Sequence, residues 1–205
     1  VRCDRLVRCG ATGESPTLDG DEHNRVIEIV VEEAAGRVPV MAGTGSNSTK
    51  EAIEMTKHAE GAGAAASLQV CPYYNRPTQD GLRRHFEAVA AATGLPLFIY
   101  NIPARTGRLI EAKTMIALSE IDNVAGMKDA CGDLMITMDI IGATRGSEKK
   151  FYVLCGEDAL TFPMLALGGD GGILAVSHVV GKEYIEMIRL FHAGNIDAAR
   201  EIHFR

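Results

Sequence analysis

Val124-Ala125-Gly126-Met127-Lys128 is an apolar run too short for a helix and closed by a cation. Runs of this length between turn signals read as buried strands. An ammonium group at the end of such a strand faces an apolar barrel or sheet interior, where desolvation disfavours its charge and lowers its pKa. A neutral amine at working pH attacks carbonyls, which is how Schiff-base enzymes use lysine. The competing reading is a strand-exit lysine whose head snorkels to water, so the surroundings must decide. The other lysines (Lys50, Lys57, Lys113, Lys149, Lys150 and Lys182) all sit in polar, helix-like or loop contexts.

Working outward from this run, similar ones recur at nearly even spacing: Arg5–Cys9, Val38–Ala42, Ala66–Val70, Pro96–Tyr100, Phe151–Cys155 and Gly172–Val176. Amphipathic stretches lie between them. Val26, Ile27, Val30, Val31 and Ala34 share one helical face; Leu82, Phe86, Val89 and Ala90 share another, with Gly94 expected as its C′ glycine. Ser48-Thr49-Lys50-Glu51 has the capping-box pattern, and Asp19 with Glu22 is a weaker helix start.

Seven strands alternating with helices imply a parallel sheet joined by right-handed crossovers. An open doubly wound sheet concentrates its ligand groups at one switch point. Here unusual residues follow nearly every strand: Gly10-Ala11-Thr12-Gly13-Glu14, Gly43-Thr44-Gly45, Pro72-Tyr73-Tyr74-Asn75, Tyr100-Asn101-Ile102-Pro103, Lys128 and Gly156-Glu157-Asp158. Chemistry around the whole ring of strand ends is the mark of a (β/α)8 TIM barrel. Such a barrel takes about 250 residues, and this chain has 205. The expectation is therefore one barrel domain over residues 1–205, cut at both ends, with strands two to eight present. Strand one would lie upstream of Val1 and further helices beyond Arg205.

The net charge of −6 argues against a nucleic-acid or anionic-membrane surface, which need concentrated Lys and Arg. Arg83-Arg84 and Lys149-Lys150 are isolated pairs that a solvated face explains. Five cysteines (Cys3, Cys9, Cys71, Cys131 and Cys155) form no CxxC, and the six histidines have no ligand spacing, so no metal is expected. No apolar stretch approaches the roughly 18 residues of a membrane span, and a reducing cytoplasm is expected.

The Gly10–Ser15 loop leaves backbone N–H groups free for an anion. It lacks the Gly-Lys-Ser/Thr of a P-loop, and no GxGxxG is present, so a carboxylate suits it better than a nucleotide. Tyr100, at the end of its strand, is positioned to relay protons near Lys128. Arg105, in a Pro/Gly-bounded loop, has the fork geometry for a substrate carboxylate.

Taken together, Gly-Ala-Thr-Gly-Glu-Ser (10–15), Gly-Thr-Gly-Ser-Asn (43–47), Pro-Tyr-Tyr-Asn-Arg-Pro (72–77), Tyr-Asn-Ile-Pro-Ala-Arg-Thr-Gly (100–107), Gly-Met-Lys-Asp-Ala (126–130) and Cys-Gly-Glu-Asp-Ala (155–159) resemble the dihydrodipicolinate synthase family. That family belongs to the pyruvate-dependent class I aldolase superfamily of (β/α)8 barrels. The resemblance implies that Lys128 forms the Schiff base with pyruvate and that Tyr100 moves protons beside it. Tyr74 would complete the relay by reaching into a neighbouring subunit. Ala11 and Thr12 would cradle the pyruvate carboxylate, and Arg105 would hold L-aspartate 4-semialdehyde. Gly156 and Ile173 would line the pyruvate pocket. No organic cofactor is implied. A homo-oligomer, a dimer of dimers, is.

One position departs from the family pattern. Two threonines usually follow the first loop glycine, and here the first is Ala11. The hydroxyl that links the two tyrosines is lost, and Thr44 is the candidate substitute. The resemblance also implies a feedback site for L-lysine at Ser15, Pro16, His23, Asn47, Glu51 and Tyr73, with Gly20 where some sensitive enzymes carry histidine. Glu51 read alone is a capping residue, and His23 a solvated first-turn residue. Two alternatives stay open: a sister aldolase acting on sialic acid or a 2-keto-3-deoxy sugar acid, and an incomplete barrel without activity.

Overall fold

A computed structural model describes residues 4–205; Cys3 lies outside them. Seven parallel strands form one sheet in strict sequence order: β1 (Leu6–Arg8), β2 (Val40–Gly43), β3 (Ala66–Val70), β4 (Leu97–Asn101), β5 (Val124–Asp129), β6 (Tyr152–Cys155) and β7 (Gly171–Gly172). The helices are α1 (Gly20–Ala34), α2 (Thr49–Gly61), α3 (Gln79–Ala90), α4 (Pro103–Thr106), α5 (Ala112–Ser119), α6 (Leu134–Thr144), α7 (Thr161–Leu167), α8 (Ser177–His192) and α9 (Ile196–His203). Every strand lies within or beside a run expected from sequence. Only β7 is much shorter than its Gly172–Val176 run, because Leu174 turns into the helix-covered core.

The two faces of the sheet are packed differently. Leu82, Phe86 and Val89 of α3, Met115 and Leu118 of α5 and Ile140 of α6 meet Ile99, Val124, Met127 and Val153 in one cluster. On the opposite face Val7, Met41, Leu68, Phe98, Tyr100, Leu154 and Ile173 pack on one another with no helix among them. A parallel sheet must bury both faces. With helices on one side only, it does so by curling, and the inward side chains of successive strands fill the concavity. The result is most of a barrel wall.

Local chemistry starts and stops the helices. The reading of Asp19 and Ser48 is reversed in strength. Glu22 N donates to Asp19 Oδ1 at 2.9 Å and Asp19 N donates to Glu22 Oε2 at 3.1 Å, a reciprocal capping box. Ser48 caps only one way, accepting from Glu51 N at 3.4 Å, because the Glu51 carboxylate is taken by the Ser46 hydroxyl. α3 ends earlier than expected: Ala91 is its C-cap and Gly94 is not left-handed. Instead Gly94 N donates to Glu60 of α2.

Lys149 does not lie on a plain solvated face, whereas Lys150 is exposed. The Lys149 amine donates to the carbonyls of Ser119 and Ile121 at the end of α5, and Lys150 pairs with Asp170 at 2.6 Å. Arg83 and Arg84 do sit on an exposed helix surface, paired with Asp80 and, for Arg83, Glu87. Among the described residues no helix is long and apolar enough to cross a membrane.

Candidate active site

Parallel pairing aligns the site. Tyr100 is the register partner of Lys128 between β4 and β5, and Lys128 is the partner of Leu154 between β5 and β6. A register irregularity at Leu97/Phe98 lets Val124 and Met127 face the helices while Lys128 faces the concavity. Gly126 lies against the inner face: a Cβ there would meet Phe98 Cε1 at 2.8 Å.

Lys128 is buried, 8 % exposed, and its Nζ lies 4.0 Å from the centre of the Tyr100 ring. Among the described residues the amine has no ion-pair or hydrogen-bond partner. Burial depresses its pKa from 10.5 to about 8, opposed by the charge of Asp158. The snorkelling reading is therefore excluded.

Gly156 makes room for the lysine stem. A Cβ at that position would stand 2.7 Å from Lys128 Cε and 2.9 Å from Cγ. Ile173 packs into the same concave cluster. Tyr100 is 2 % exposed, and burial pushes its phenol up to about 12. A hydrogen bond with the Thr12 side chain and the Arg105 charge pull the other way.

Next to this pair opens a cleft of about 520 Å³. Ala11, Thr12, Arg105 and Thr106 line it, as do Ser15, Pro16, His23, Glu51 and Tyr73. Its size falls in the ordinary range for small-molecule sites, roughly 300–1,000 Å³. Gly20 lines it too, whereas Asn47 does not; its carbonyl accepts a hydrogen bond from Asn75 Nδ2 at 3.0 Å.

His23 is not the solvated residue its first-turn position suggested. It is 4 % exposed, with Nε2 2.9 Å from the Gly43 carbonyl and Nδ1 buried without a partner. Helix α1 turns this residue toward the sheet, on the same side as Ile27.

Thr44 is not a substitute for the missing hydroxyl at position 11. Its Oγ1 is held by Thr56 at 2.8 Å, Ser67 at 2.7 Å and Gln69 Nε2 at 2.8 Å. Alternation along β3 sends Ala66 and Leu68 inward and Ser67 and Gln69 toward α2. Thr44 joins the outward group, on the wrong side of the sheet from Tyr100.

Tyr74 is 91 % exposed and points into solvent, away from Tyr100. Its φ of +70° is a genuine outlier for a bulky residue, a conformation kept only where surrounding structure enforces it. The contacts that hold the turn come from the two residues after it. Asn75 bonds the Asn47 carbonyl, and the Arg76 guanidinium lies where a side chain at Gly107 (φ +71°) would be.

Two residues noted among the strand-end groups were given no role from the sequence. Asn101 clamps the Arg105 loop, donating from Nδ2 to Ile110 O at 3.1 Å and accepting from Ile110 N at 3.0 Å. Asp158 acts electrostatically on both Lys128 and Tyr100 while its Oδ1 accepts from Val176 N at 3.4 Å. An Asn directly after the apolar run Leu97–Tyr100 was a legible signal for the first. Nothing in the spacing marked the second beyond its place in the Glu157-Asp158 pair.

The sequence model of the Dihydrodipicolinate synthetase family matches residues 2–205. The 4-hydroxy-tetrahydrodipicolinate synthase of Geotalea daltonii is 50% identical over 202 residues, covering 98% of this chain and 69% of its own. A solved structure of chloride-inhibited dihydrodipicolinate synthase from Acinetobacter baumannii, complexed with pyruvate, superposes with a TM-score of 0.92 at 41% identity, over 98% of this chain and 68% of that one. The enzyme from Cyanidioschyzon merolae, solved with lysine bound, gives 0.93 at 43% identity, over 98% and 67%.

Proposed function

Because the chain belongs to the dihydrodipicolinate synthetase family, we propose that it condenses pyruvate with L-aspartate 4-semialdehyde, giving 4-hydroxy-tetrahydrodipicolinate on the route to diaminopimelate and lysine. The observation that carries this reading is the isolated, buried amine of Lys128 over the Tyr100 ring, held near pKa 8 by desolvation.

In this mechanism the neutral Nζ of Lys128 adds to C2 of pyruvate. Tyr100 protonates the departing hydroxyl and water leaves, giving the iminium. Loss of a C3 proton makes the enamine, whose C3 attacks the aldehyde carbon of the semialdehyde. Attack of the new intermediate's amino group on C2 then closes the ring and frees Lys128.

Ala11 and Thr12 open the loop where backbone donors meet a carboxylate. Arg105, on the cleft wall beside Thr106, suits the second substrate's carboxylate. Sugar-acid aldolases would use the same lysine and tyrosine; Arg105 on the cleft wall favours an aldehyde that carries its own carboxylate.

The wider architecture is the (β/α)8 barrel, of which the curled seven-strand sheet forms most of the wall. Tyr74 gives the reading its quaternary part. An exposed tyrosine held at positive φ is well placed to serve a neighbouring subunit, and a dimer of dimers is the assembly proposed. The cleft lining also offers Glu14, Asp19 and Glu51, with His23 and Tyr73, a setting for the ammonium groups of feedback lysine. Among the described residues four cysteines are free, which suits a cytoplasmic enzyme.

The decisive experiment is borohydride reduction of the protein with pyruvate, followed by peptide mass mapping. Label on Lys128 supports the reading; label elsewhere or nowhere defeats it. Turnover assays with the semialdehyde and with sugar-acid substrates separate the sister activities. A flat response to millimolar lysine removes the feedback site.

A further inference from the structure

Leaving β4, the chain carries Arg105 and Thr106 past the cleft and returns to α5 through Leu109-Ile110-Glu111. Arg105 is exposed, and among the described residues its guanidinium makes no hydrogen bond or ion pair. Its place on the cleft wall is therefore set by the backbone of its loop. Whatever holds that backbone decides where a substrate carboxylate is met.

The return segment is gripped on both edges by side-chain amides. Asn101, fully buried at the end of β4, takes one edge: Nδ2 donates to Ile110 O at 3.1 Å and Oδ1 accepts from Ile110 N at 3.0 Å. Gln79, the first residue of α3, takes the other edge. Its Nε2 donates to Leu109 O at 2.8 Å and its Oε1 accepts from Glu111 N at 3.2 Å. An extended chain presents one residue's N–H and C=O to one side and its neighbours' groups to the other. A primary amide carries both a donor and an acceptor, so the two side chains stand in for flanking strands.

The two grips tie the loop to different bodies. Asn101 ties it to the sheet, one residue from Tyr100 and in register with Asp129. Gln79 ties it to α3, whose Leu82 and Phe86 lie in the helix-covered core. Within the loop, Thr106 Oγ1 lies 3.1 Å from Ile102 O and 3.0 Å from Arg108 O, bracing the short helix α4. Gln79 itself does not line the cleft.

We infer that Gln79 is a positioning residue for Arg105, setting how tightly the second substrate's carboxylate is held while leaving pyruvate binding alone. The inference rests on the role proposed for Arg105. In that reading pyruvate is held by Lys128 and the loop after β1, and Gln79 bonds to neither. Without the α3 grip, the return segment is hinged on Asn101 alone and Arg105 moves with it. The second substrate must then order the loop as it binds, an entropy loss that the parent chain has already taken on folding.

The test is a double-mutant cycle of Gln79→Ala with Arg105→Ala, with Gln79→Glu as a third variant. Gln79→Ala should raise KM for the semialdehyde about tenfold, part of the roughly hundredfold that a misplacement of about 1 Å can cost. KM for pyruvate and kcat should each stay within about threefold, and borohydride should still trap pyruvate on Lys128. A general loosening of the fold would move the constants for both substrates together. In the Arg105→Ala background, Gln79→Ala should change KM for the semialdehyde by less than about twofold, because residues acting through one another are not additive. Gln79→Glu loses the donor to Leu109 O but puts a carboxylate in the first turn of α3, where the helix dipole favours it. It should also raise KM for the semialdehyde, by about threefold or more, and it carries the same comparison if Gln79→Ala does not fold. The inference is overturned if neither variant raises that KM, if KM for pyruvate rises equally, or if the effect is undiminished in the Arg105→Ala background. An unchanged KM in Arg105→Ala alone is a different result, which removes the role of that arginine and the inference with it.

Discussion

Lys128 and Lys149 are both desolvated, and burial lowers the pKa of each. They differ in what the amine touches. Lys149, before β6, donates to two carbonyls where α5 ends, Ser119 O at 2.6 Å and Ile121 O. It gives the Ser119 carbonyl in the last turn of α5 a donor and adds a second one to Ile121 O, which also accepts from Val124 N; a positive charge there meets the helix dipole favourably. Lys128, at the opposite end of its strand, has an aromatic face at 4.0 Å and, among the described residues, no acceptor. A cation over a ring is attracted by about 0.5–2 kcal/mol, which does not offset losing water. Burial alone therefore does not separate a reactive lysine from a structural one. The missing acceptor does.

That contrast is tested most severely by Lys128→Met. Catalysis and pyruvate trapping should vanish, while the variant melts higher than the parent at neutral pH. The sign follows from linkage. The folded pKa lies below the unfolded value, so the folded state binds fewer protons between about pH 8 and 10.5. The penalty is complete below pH 8 and fades as pH rises toward 10.5. Its upper limit is the shift of 2.5 units (10.5 − 8) at 1.36 kcal/mol per unit, about 3 kcal/mol. Calorimetry from pH 6 to 10.5 should show the gain shrinking with pH. A variant less stable than the parent at pH 7 would mean the amine has a partner after all.

Tyr100→Phe keeps the ring under the amine and removes the proton carrier. It should cost about 10²–10⁴-fold in kcat, with trapping slowed but still directed to Lys128. In the unmodified protein, the trapping rate at saturating borohydride should climb about tenfold per pH unit below 8 and level off above it, because only the neutral amine adds to the carbonyl. A limb near pH 10 would place Lys128 in water.

Much of this was legible because periodicity and chemistry agreed. β5 was marked by an apolar run, and the residues at the ends of β1, β4 and β6 were marked by their oddness, so the neighbourhood of Lys128, Tyr100 and Gly156 was legible in the sequence. The failures share a cause: sequence spacing does not say which side of the sheet a loop residue faces. Thr44 lies one residue beyond β2, and only the three-dimensional course of the chain puts its hydroxyl among Thr56, Ser67 and Gln69, behind the sheet. His23 sits in a polar first turn, yet α1 meets the sheet at an angle that buries it against Gly43. Lys149 was assigned to solvent because its acceptors, some 30 residues earlier in the chain, are main-chain atoms that no motif records. The capping box had the same weakness: Glu51 fits the pattern, but Ser46 competes for its carboxylate.

The smallest effect sharpens the comparison from the other side. Lys149→Met keeps the apolar stem and removes the donor, leaving the Ser119 and Ile121 carbonyls without the amine. An intramolecular hydrogen bond to a charged group is worth about 1.5–3 kcal/mol, and the partly exposed setting lets water recover part of it, so a loss of about 1 kcal/mol is expected. Denaturant midpoints should fall with an unchanged slope, and kcat, KM and pyruvate trapping should match the parent. The two methionine variants then move stability in opposite directions, up at 128 and down at 149. Movement in the same direction would mean that acceptor contact does not distinguish the two lysines, and the reactivity of Lys128 would need another origin.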